Sequence, residues 1–279
     1  MIYIILLVFI AALAAFLYFE NNCLSVSIFK FSSPKVPKEY IGFKILQVSD
    51  LQNKLFSKGQ KRLIDRLKKL NFDILVITGD LIDRRKYNLA AAEEFIKNAV
   101  TLADVYYVPG NHEAWSGRYG EVKSMLLKYG VKILENITIE LSGSGGEKSG
   151  PVFISGVMDP GFLTGQKEKT DVASFTGTLK KLEKTDDFNI LLTHRPELFE
   201  LYHKFDLIFA GHAHGGQIRL PLIGGLFAPG QGLFPKYTSG MYSARGSTMF
   251  VSRGLGNSVF PFRIFNRPQL MVVELQATE

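Results

Sequence analysis

Short runs of apolar, β-branched residues recur along the chain, and each ends at a polar cluster. The runs are FKILQVSD, FDILVITGD, DVYYVPGNHE, VFISGVMD, NILLTH and DLIFAGHAHGG, with later ones at STMFVS and QLMVVEL, and they are typical of buried strands. Apolar residues recur with the helical period between them, at 63–70, 88–102, 125–127 and 176–184. Strands that alternate with helices predict an α/β fold whose sheet is buried on both faces.

The N-terminal stretch is apolar without interruption. Residues 2–19 carry no charge, and 18 helical residues at about 1.5 Å each nearly match a bilayer core of about 30 Å. A cleaved signal peptide is the alternative, but no Lys or Arg precedes the stretch, so we predict a retained membrane anchor over residues 1–20. All four Lys residues between positions 20 and 45 follow it, which favours a cytoplasmic catalytic domain.

The rest of the chain divides into a linker and a domain. Residues 21–41 contain Pro34 and Pro37 and are predicted to form a juxtamembrane linker, with room for a short strand at LSVSIFKF. Residues 42–279 are predicted to form the globular domain. Within it, the Gly- and Pro-rich segment LPLIGGLFAPGQGLFPKY is predicted to be a long loop that is functional or packed by its own side chains.

Composition restricts the chemistry. Hydrophobic residues make up 46% of the 279 positions, enough for a sizeable core. The single cysteine, Cys23, excludes an intramolecular disulfide framework and a Cys-rich zinc module, so any metal must be held by oxygen and imidazole nitrogen. The net charge of +7 is dispersed along the chain and predicts no continuous groove for nucleic acid.

Metal-binding residue types stand where the predicted strands end. They are Asp50, Asp80, Asn111, His112, His194, His212 and His214. Ligand sites in open α/β sheets form beyond the carboxyl ends of the strands, so these side chains are expected to converge. Carboxylate and amide oxygens together with neutral imidazoles suit a pair of divalent cations, which would hold a nucleophilic hydroxide between them.

Five ordered motifs carry a family resemblance. SDLQ, GDLID, GNHE, LLTHRP and GHAHGGQ resemble the calcineurin-like metallophosphoesterase superfamily, whose pattern is D-x-H, G-D, G-N-H-[DE], H and G-H-x-H. The resemblance covers about residues 42–275 and implies a four-layer αββα sandwich, two packed mixed sheets flanked by helices. The apolar N-terminus and the ending VSRGLGNSVFPFRIFNRPQL are similar to a bacterial membrane-anchored branch that includes UDP-2,3-diacylglucosamine hydrolases.

The resemblance also implies a role for each strand-end residue. It assigns one metal to Asp50, Gln52, Asp80 and His214, and the other to Asp80, Asn111, His194 and His212. Asp80 would bridge the two ions, and His112 would protonate the leaving oxygen or stabilise the phosphoryl charge. We expect manganese at both positions, with magnesium, iron and zinc as alternatives.

Gln52 is the departure from this pattern, because the family has histidine there. Three interpretations stay open: the amide oxygen binds the metal, water replaces the missing ligand, or the enzyme is inactive. An amide oxygen is a harder and weaker donor than imidazole and favours Mg or Mn over Zn. Every other motif residue is present, which favours a working enzyme.

The predicted reaction is hydrolysis of a phosphoester or pyrophosphate bond. Arg84 and Arg195 lie beside the motifs and are candidates for binding the substrate's oxygens. The anchor and the apolar segment Leu220–Phe234 favour a membrane-associated or lipid-linked substrate, with a UDP-2,3-diacylglucosamine-like pyrophosphate as one case, and membrane lipid is the expected partner. The alternatives are a membrane-bound scaffold without turnover and a nuclease or nucleotide phosphodiesterase, and the pattern leaves the oligomeric state open.

Overall fold

The computed structural model describes residues 1–141, 150–164, 171–184, 186–258 and 260–278. In this part of the chain, the α-helices are numbered in chain order: α1 Ile2–Asn22, α2 Lys61–Leu67, α3 Ala90–Ala99, α4 Asn111–Ser116, α5 Tyr119–Lys128, α6 Gly161–Thr164 and α7 Val172–Leu182. The strands are β1 Ser25–Ser32, β2 Lys44–Val48, β3 Ile74–Thr78, β4 Asp104–Val108, β5 Lys132–Ile133, β6 Ile137–Glu140, β7 Val152–Gly156, β8 Phe188–Leu192, β9 Leu207–Ala210, β10 Arg219–Leu220, β11 Gly224–Gly225, β12 Phe227–Ala228, β13 Gly232–Leu233, β14 Gly240–Ala244, β15 Ser247–Val251 and β16 Gln269–Gln276.

Two six-stranded sheets contain most of these strands. The first has the order β1-β16-β2-β3-β4-β5, and the second has the order β14-β15-β9-β8-β7-β6. Both sheets are mixed. In the first, β2, β3 and β4 run parallel and β16 is antiparallel to β2. In the second, β7, β8, β9 and β15 run parallel, and the edge strands β6 and β14 are antiparallel to their neighbours.

Side-chain alternation explains why the sheets stack. On β3, Leu75 and Ile77 face a core shared with α2, α3 and α5, whereas Val76 faces the core between the two sheets. On β9, Phe209 faces that same central core and Ile208 faces the core beneath α7. Because both faces of each central strand are apolar, each sheet must be covered on both sides. The result is helices, sheet, sheet and helices in four layers, which confirms the predicted fold class.

The predicted strands and helices are present, and the structure adds several short ones. The run LSVSIFKF, where a short strand was anticipated within the linker, contains β1, which pairs in parallel with β16 from Ser25 to Ser32. The first sheet therefore begins well before residue 42. The Gly- and Pro-rich segment is folded into two small hairpins, β10–β11 and β12–β13. The hairpins order its backbone, but several of its large apolar side chains stay exposed.

The apolar N-terminal stretch is the helix α1. Its length and its mean hydropathy of 2.8 over 18 residues would allow it to cross a membrane, and that window is not buried in the fold. Its last turn is different, because Glu20 and Asn21 are buried against the domain. Glu20 accepts a hydrogen bond from the backbone N–H of Asn266 at 2.7 Å.

Candidate metal centre

The metal-binding residues lie at the edge of the stacked sheets where parallel strands end. Asp50 follows β2, Asp80 follows β3, Asn111 follows β4, and His194 and His212 follow β8 and β9. All seven predicted ligands are buried: Asp50, Gln52, Asp80, Asn111, His194, His212 and His214. The fold therefore brings together side chains that span 165 positions of sequence, from 50 to 214.

Two groups of potential ligands share one carboxylate. The first group is Asp50, Asp80 and His214, and the second is Asp80, His194 and His212; in each, the donor atoms lie within 4.8 Å of one another. A carboxylate that belongs to both groups is what a pair of neighbouring cations requires, since each of its oxygens can face one ion. The predicted bridging position of Asp80 fits this geometry.

In the second group, acceptor atoms face one another. His194 Nδ1 lies 2.7 Å from the carbonyl oxygen of Thr78, so Nδ1 donates a proton there and Nε2 is the nitrogen that faces the other ligands. That Nε2 lies 3.0 Å from Asn111 Oδ1, 3.1 Å from His212 Nδ1 and 3.3 Å from Asp80 Oδ2. One proton on Nε2 can satisfy only one of these atoms, whereas a cation among them satisfies all four. The residues present therefore fit a metal ion.

In the first group, His214 Nε2 lies 3.3 Å from Asp50 Oδ1 and 3.1 Å from Gln52 Nε2. Gln52 Nε2 is also 3.4 Å from Asp80 Oδ2, and its buried Oε1 has no hydrogen-bond partner among the described residues. Turning the amide about its Cγ–Cδ bond exchanges the two atoms and directs the oxygen at the other ligands. Gln52 thus reaches the first ligand group, where the family has a histidine. The nearby Asn53 does not, because its amide donates to the Lys86 carbonyl.

Electrostatics keep two of the imidazoles neutral. Burial lowers the pKa of His214 to about 4 and the pKa of His212 well below its ordinary value, and in His212 the charge of Arg195 adds to this effect. Both therefore offer lone pairs at neutral pH. Burial also opposes a charge on His194, but the Asp80 carboxylate outweighs it and raises the pKa of His194 to about 10. An ion held by Asp80 would replace that proton.

The backbone of the site is unusual at most of the ligands. Five of the seven have φ in the left-handed region: Asp50 (52°), Gln52 (45°), Asp80 (56°), His212 (66°) and His214 (47°). Such conformations cost about 1–3 kcal/mol each in a residue that has a Cβ, and they concentrate at functional sites. Asp, Asn and His adopt them more readily than other side chains, so Gln52 is the ligand least suited to its conformation.

Close packing fixes Asp80. A Cβ on Gly110 would lie 2.3 Å from Asp80 Oδ1, so this position accepts only glycine. Glu113, fully buried on α4, accepts hydrogen bonds from the backbone N–H groups of Asp80 and Leu81 at 2.8 Å and from those of Gly110 and Ile82. Glu113 belongs to the GNHE motif, but the sequence pattern gave it no role. Burial, with the charge of Asp80 added, raises the pKa of Glu113 to about 7.

His112 lies between this centre and open space. Its backbone N–H donates to Asp80 Oδ1 at 2.8 Å, and its ring Nδ1 lies 3.4 Å from Asp83 Oδ1 and 3.2 Å from the backbone nitrogen of Arg84. Burial disfavours the charged ring, but Asp80 and Asp83 outweigh this and raise the pKa of His112. The two carboxylates therefore favour the protonated form of the ring.

A cleft of about 660 Å³ opens over the centre, and its lining includes Asp80, Asn111, His112 and His212. Both predicted substrate-binding arginines line it as well. Arg195 is already engaged, since it donates to both oxygens of Asp159 at 2.7 and 3.2 Å. Asp159 directly follows the second-sheet run VFISGVM, a strand-end signal that could have identified it from the sequence. The guanidinium groups of Arg84 and Arg195 lie 5.4 and 5.6 Å from the Trp115 ring, so that ring is covered by cations.

Comparison with known proteins agrees with this geometry. The sequence profile of the calcineurin-like phosphoesterase family matches residues 43–216. The chain is 29% identical over 269 residues to the uncharacterized metallophosphoesterase YkuE of Bacillus subtilis, covering 94% of this chain and 88% of that protein. It is 25% identical over 258 residues to a bovine (Bos taurus) transmembrane protein with metallophosphoesterase domain, covering 87% and 55% of the two chains.

One solved structure, TT1561 of Thermus thermophilus, is similar with a TM-score of 0.47 and 14% identity, covering 76% of this chain and 90% of that one. The family profile spans more than half of the 279 residues and includes the shared Asp80 and both ligand groups. The chain therefore belongs to the calcineurin-like phosphoesterase family and is a metallophosphoesterase, a hydrolase of phosphoester bonds.

Proposed function

We propose that the chain hydrolyses a phosphoester or pyrophosphate bond with two divalent cations, and that its substrate is held in or at a membrane. The observation that supports this is the pair of ligand groups joined by Asp80 beneath an open cleft. One ion would be held by Asp50, Gln52, Asp80 and His214, and the other by Asp80, Asn111, His194 and His212. When bound, the cations would polarise the phosphoryl oxygens and lower the pKa of a nucleophilic water.

The protein's own side chains would position the substrate and transfer a proton. His112 would donate from its ring to the leaving oxygen, and Asp83, 3.4 Å from Nδ1, would stabilise the charged ring before the transfer. Arg84 extends beside the cleft with a buried Nε that has no partner among the described residues, so it is the arginine left to bind substrate oxygens. Arg195, held by Asp159, would present a fixed positive charge near Trp115.

Our proposals for the metal and for the location are supported by the ligand chemistry and by α1. Two carboxylates, two amides and three imidazoles make a mixed oxygen and nitrogen set, for which manganese is our first choice ahead of magnesium, iron and zinc. We propose that α1 anchors the chain in the membrane. The relative named as a transmembrane protein and the apolar 18-residue window support the anchor, and the lysines that follow α1 favour a cytoplasmic domain.

The test uses the full chain purified in detergent and stripped with a chelator. Hydrolysis of bis-p-nitrophenyl phosphate and of a nucleotide-diphosphate lipid is measured after addition of Mn²⁺, Mg²⁺ or Zn²⁺. We expect metal-stimulated turnover, greater on the lipid, and about two bound ions per chain. His112→Ala should lower turnover by roughly 10²–10⁴-fold, the usual contribution of a general acid, and should leave both ions bound.

A wild-type chain that binds little metal and shows no turnover would overturn the proposal. If turnover then appeared in Gln52→His, the scaffold interpretation would replace it. Equal turnover of the soluble ester and the lipid would overturn only the membrane-associated substrate.

A further inference from the structure

The end of α1 lies at the same edge of the first sheet as the metal centre. Met271 on β16 pairs with Gln47 on β2, and β16 runs antiparallel to β2. The start of β16 therefore lies where β2 ends, close to Asp50. Ser25, at the start of β1, pairs with Gln269, so the helix that precedes β1 ends at this edge too.

Side-chain contacts fix the last turn of α1 there. The side-chain oxygen of Asn21 accepts from the backbone N–H of Arg263 at 3.1 Å, and Lys54, two residues after Gln52, donates to the Asn21 carbonyl. Asn266 links the helix to the metal centre, because its backbone N–H donates to Glu20 and its side-chain amide donates to the His214 carbonyl, both at 2.7 Å. The helix and the metal centre thus share one supporting segment.

The length of the apolar stretch determines how close to the membrane the segment around residues 263–267 lies. Residues 2–19 span about 27 Å as a helix, which is barely the thickness of a bilayer core of about 30 Å. If α1 crosses the bilayer, Phe16 and Phe19 must therefore lie at the membrane boundary. Phe265 packs on Phe16 with ring centroids 5.4 Å apart, and the Arg267 guanidinium lies 5.1 Å from the Phe19 ring. These two residues of the domain must then lie at the boundary as well.

Exposed apolar side chains surround this point. Phe260, Phe262 and Phe265 are each between 42% and 54% exposed. The hairpin β10–β11 is joined to the same segment, because the Arg219 N–H donates to the Ile264 carbonyl at 3.0 Å. The turn of that hairpin exposes two more large apolar side chains, Leu222 and Ile223. Grouped apolar exposure of this kind marks an interaction surface rather than ordinary protein surface.

We propose that these five side chains, Leu222, Ile223, Phe260, Phe262 and Phe265, form a membrane-contacting face that enters the lipid next to α1. Elements that lie in the membrane interface insert about 5–10 Å into the region between headgroups and acyl chains, and aromatic residues such as Trp and Tyr are enriched there. The partner is the lipid bilayer itself, and its contact with the face is continuous with the contact of α1.

The cleft is adjacent to this face. Ser258, two residues before Phe260, lines the cleft, and so does Phe227, which follows the β10–β11 hairpin. A phosphoester that lies at headgroup level would therefore enter the cleft without leaving the membrane. The inference rests on the proposal that α1 spans the bilayer, but it does not require that the chain hydrolyses anything.

The experiment measures lipid contact directly. The full chain carries one cysteine, so a Cys23→Ser background allows single probes to be placed by Phe262→Cys and Leu222→Cys. Leu13→Cys on α1 reports the anchor. Leu127→Cys is the matched control, because Leu127 is 58% exposed near the end of α5, which runs from the metal-site edge toward the opposite edge of the sheet. Each variant is labelled with an environment-sensitive fluorophore and reconstituted in phosphatidylcholine vesicles with or without brominated acyl chains.

We expect the brominated lipid to quench most of the fluorescence at positions 13, 222 and 262 and to leave position 127 unchanged. If the label at position 13 is quenched but the label at position 222 or 262 stays as bright as the one at position 127, the membrane-contacting face is overturned and the anchor is left intact. A label at 13 that is not quenched would overturn the anchor and the face together. Neither result bears on the metal-dependent assay, so a failure here is distinguishable from a failure of the hydrolase proposal.

Discussion

The two ligand groups meet at Asp80 but are supported by different parts of the chain. The second group is held by strand ends and by α4: His194 donates to the Thr78 carbonyl, and Glu113 binds the backbone around Asp80. The first group is held by segments that lie far along the sequence. Asn266 binds the carbonyl of His214, and a Cβ on Gly254 would lie 2.8 Å from the Cβ of Asp50.

This difference has a consequence for metal binding. Residues on central strands are among the last parts of a fold to open, whereas long segments near chain ends open more easily. We call the residues that hold the ligands in place their supports. The second group also retains every ligand type of the family pattern, and the first has Gln52 in place of histidine. We therefore expect the second group to bind its ion more tightly, and each variant below tests this ranking.

Asp80→Asn should have the largest effect, since Asp80 belongs to both groups. Loss of the shared carboxylate should remove both ions and lower turnover by well over the ~10–100-fold that loss of an outer-shell partner costs. Metal content by mass spectrometry and turnover with Mn²⁺ check this. Asp73→Asn is the control, because Asp73 binds the backbone of Lys44 at the opposite end of the sheet. Two ions retained in Asp80→Asn would contradict the bridging role.

Glu113→Gln should come next and should affect the second group and Asp80. The carboxylate accepts backbone N–H groups on both oxygens, and an amide would turn a donor toward one of them. We expect turnover and metal affinity to fall by ~10–100-fold, and the free energy of unfolding to fall by about 1–3 kcal/mol. Calorimetric titration with Mn²⁺ and thermal unfolding measure the two effects.

The control for that variant is Glu121→Gln on α5, whose carboxylate pairs with Arg118 on the surface, away from the ligands. A Glu113→Gln protein that binds both ions as the wild type does would show that the strand ends position Asp80 without help.

The supports were much harder to predict from sequence than the ligands. Asp80 and His194 end apolar runs, and that local pattern alone placed them at one sheet edge. Glu113 acts on backbone groups up to 33 residues away, and Asn266 acts on a carbonyl 52 residues away. Neither contact leaves a periodic signal, because it depends on where two distant segments pack.

The same reasoning applies to the fold. The central strands were evident because both of their faces are apolar. The run LSVSIFKF allowed a short strand within the predicted linker, but its partner could not be inferred, because the pairing of β1 with β16 joins residues 244 positions apart, Ser25 and Gln269. The β10–β11 hairpin has only two residues per strand, too few for an alternating pattern to appear.

Asn266→Ala should have a smaller effect that is confined to the first group. The variant loses the hydrogen bonds from the Asn266 amide to the carbonyls of His214 and Gln217, at 2.7 and 3.0 Å. We expect one of the two steps in a Mn²⁺ titration to weaken by about tenfold, the lower end of an outer-shell loss, and the other to stay unchanged. Asn257→Ala is the control, since Asn257 lies on the same segment as Asn266 but donates to Asn21 on α1 and to the Pro261 carbonyl. Weakening of both steps would contradict the separate supports.

Gln52→His should have an effect of similar size and the opposite sign. Histidine adopts a φ near 45° more readily than glutamine, and imidazole is a softer and stronger ligand than an amide. The weaker step of a Zn²⁺ titration should therefore tighten by about tenfold, or about 1.4 kcal/mol, with less change for Mn²⁺.

Gln52→Ala separates the two interpretations that keep the enzyme active. If the amide oxygen binds the ion, its removal weakens the first group for Mn²⁺ while the second group is unaffected. If water already occupies that position, the titration stays as in the wild type. Because Gln52 Oε1 is buried without a partner among the described residues whereas Nε2 faces two ligand atoms, we expect the weakening. An unchanged titration would mean that the lower affinity of the first group comes only from the residues that hold its ligands in place, and not from Gln52.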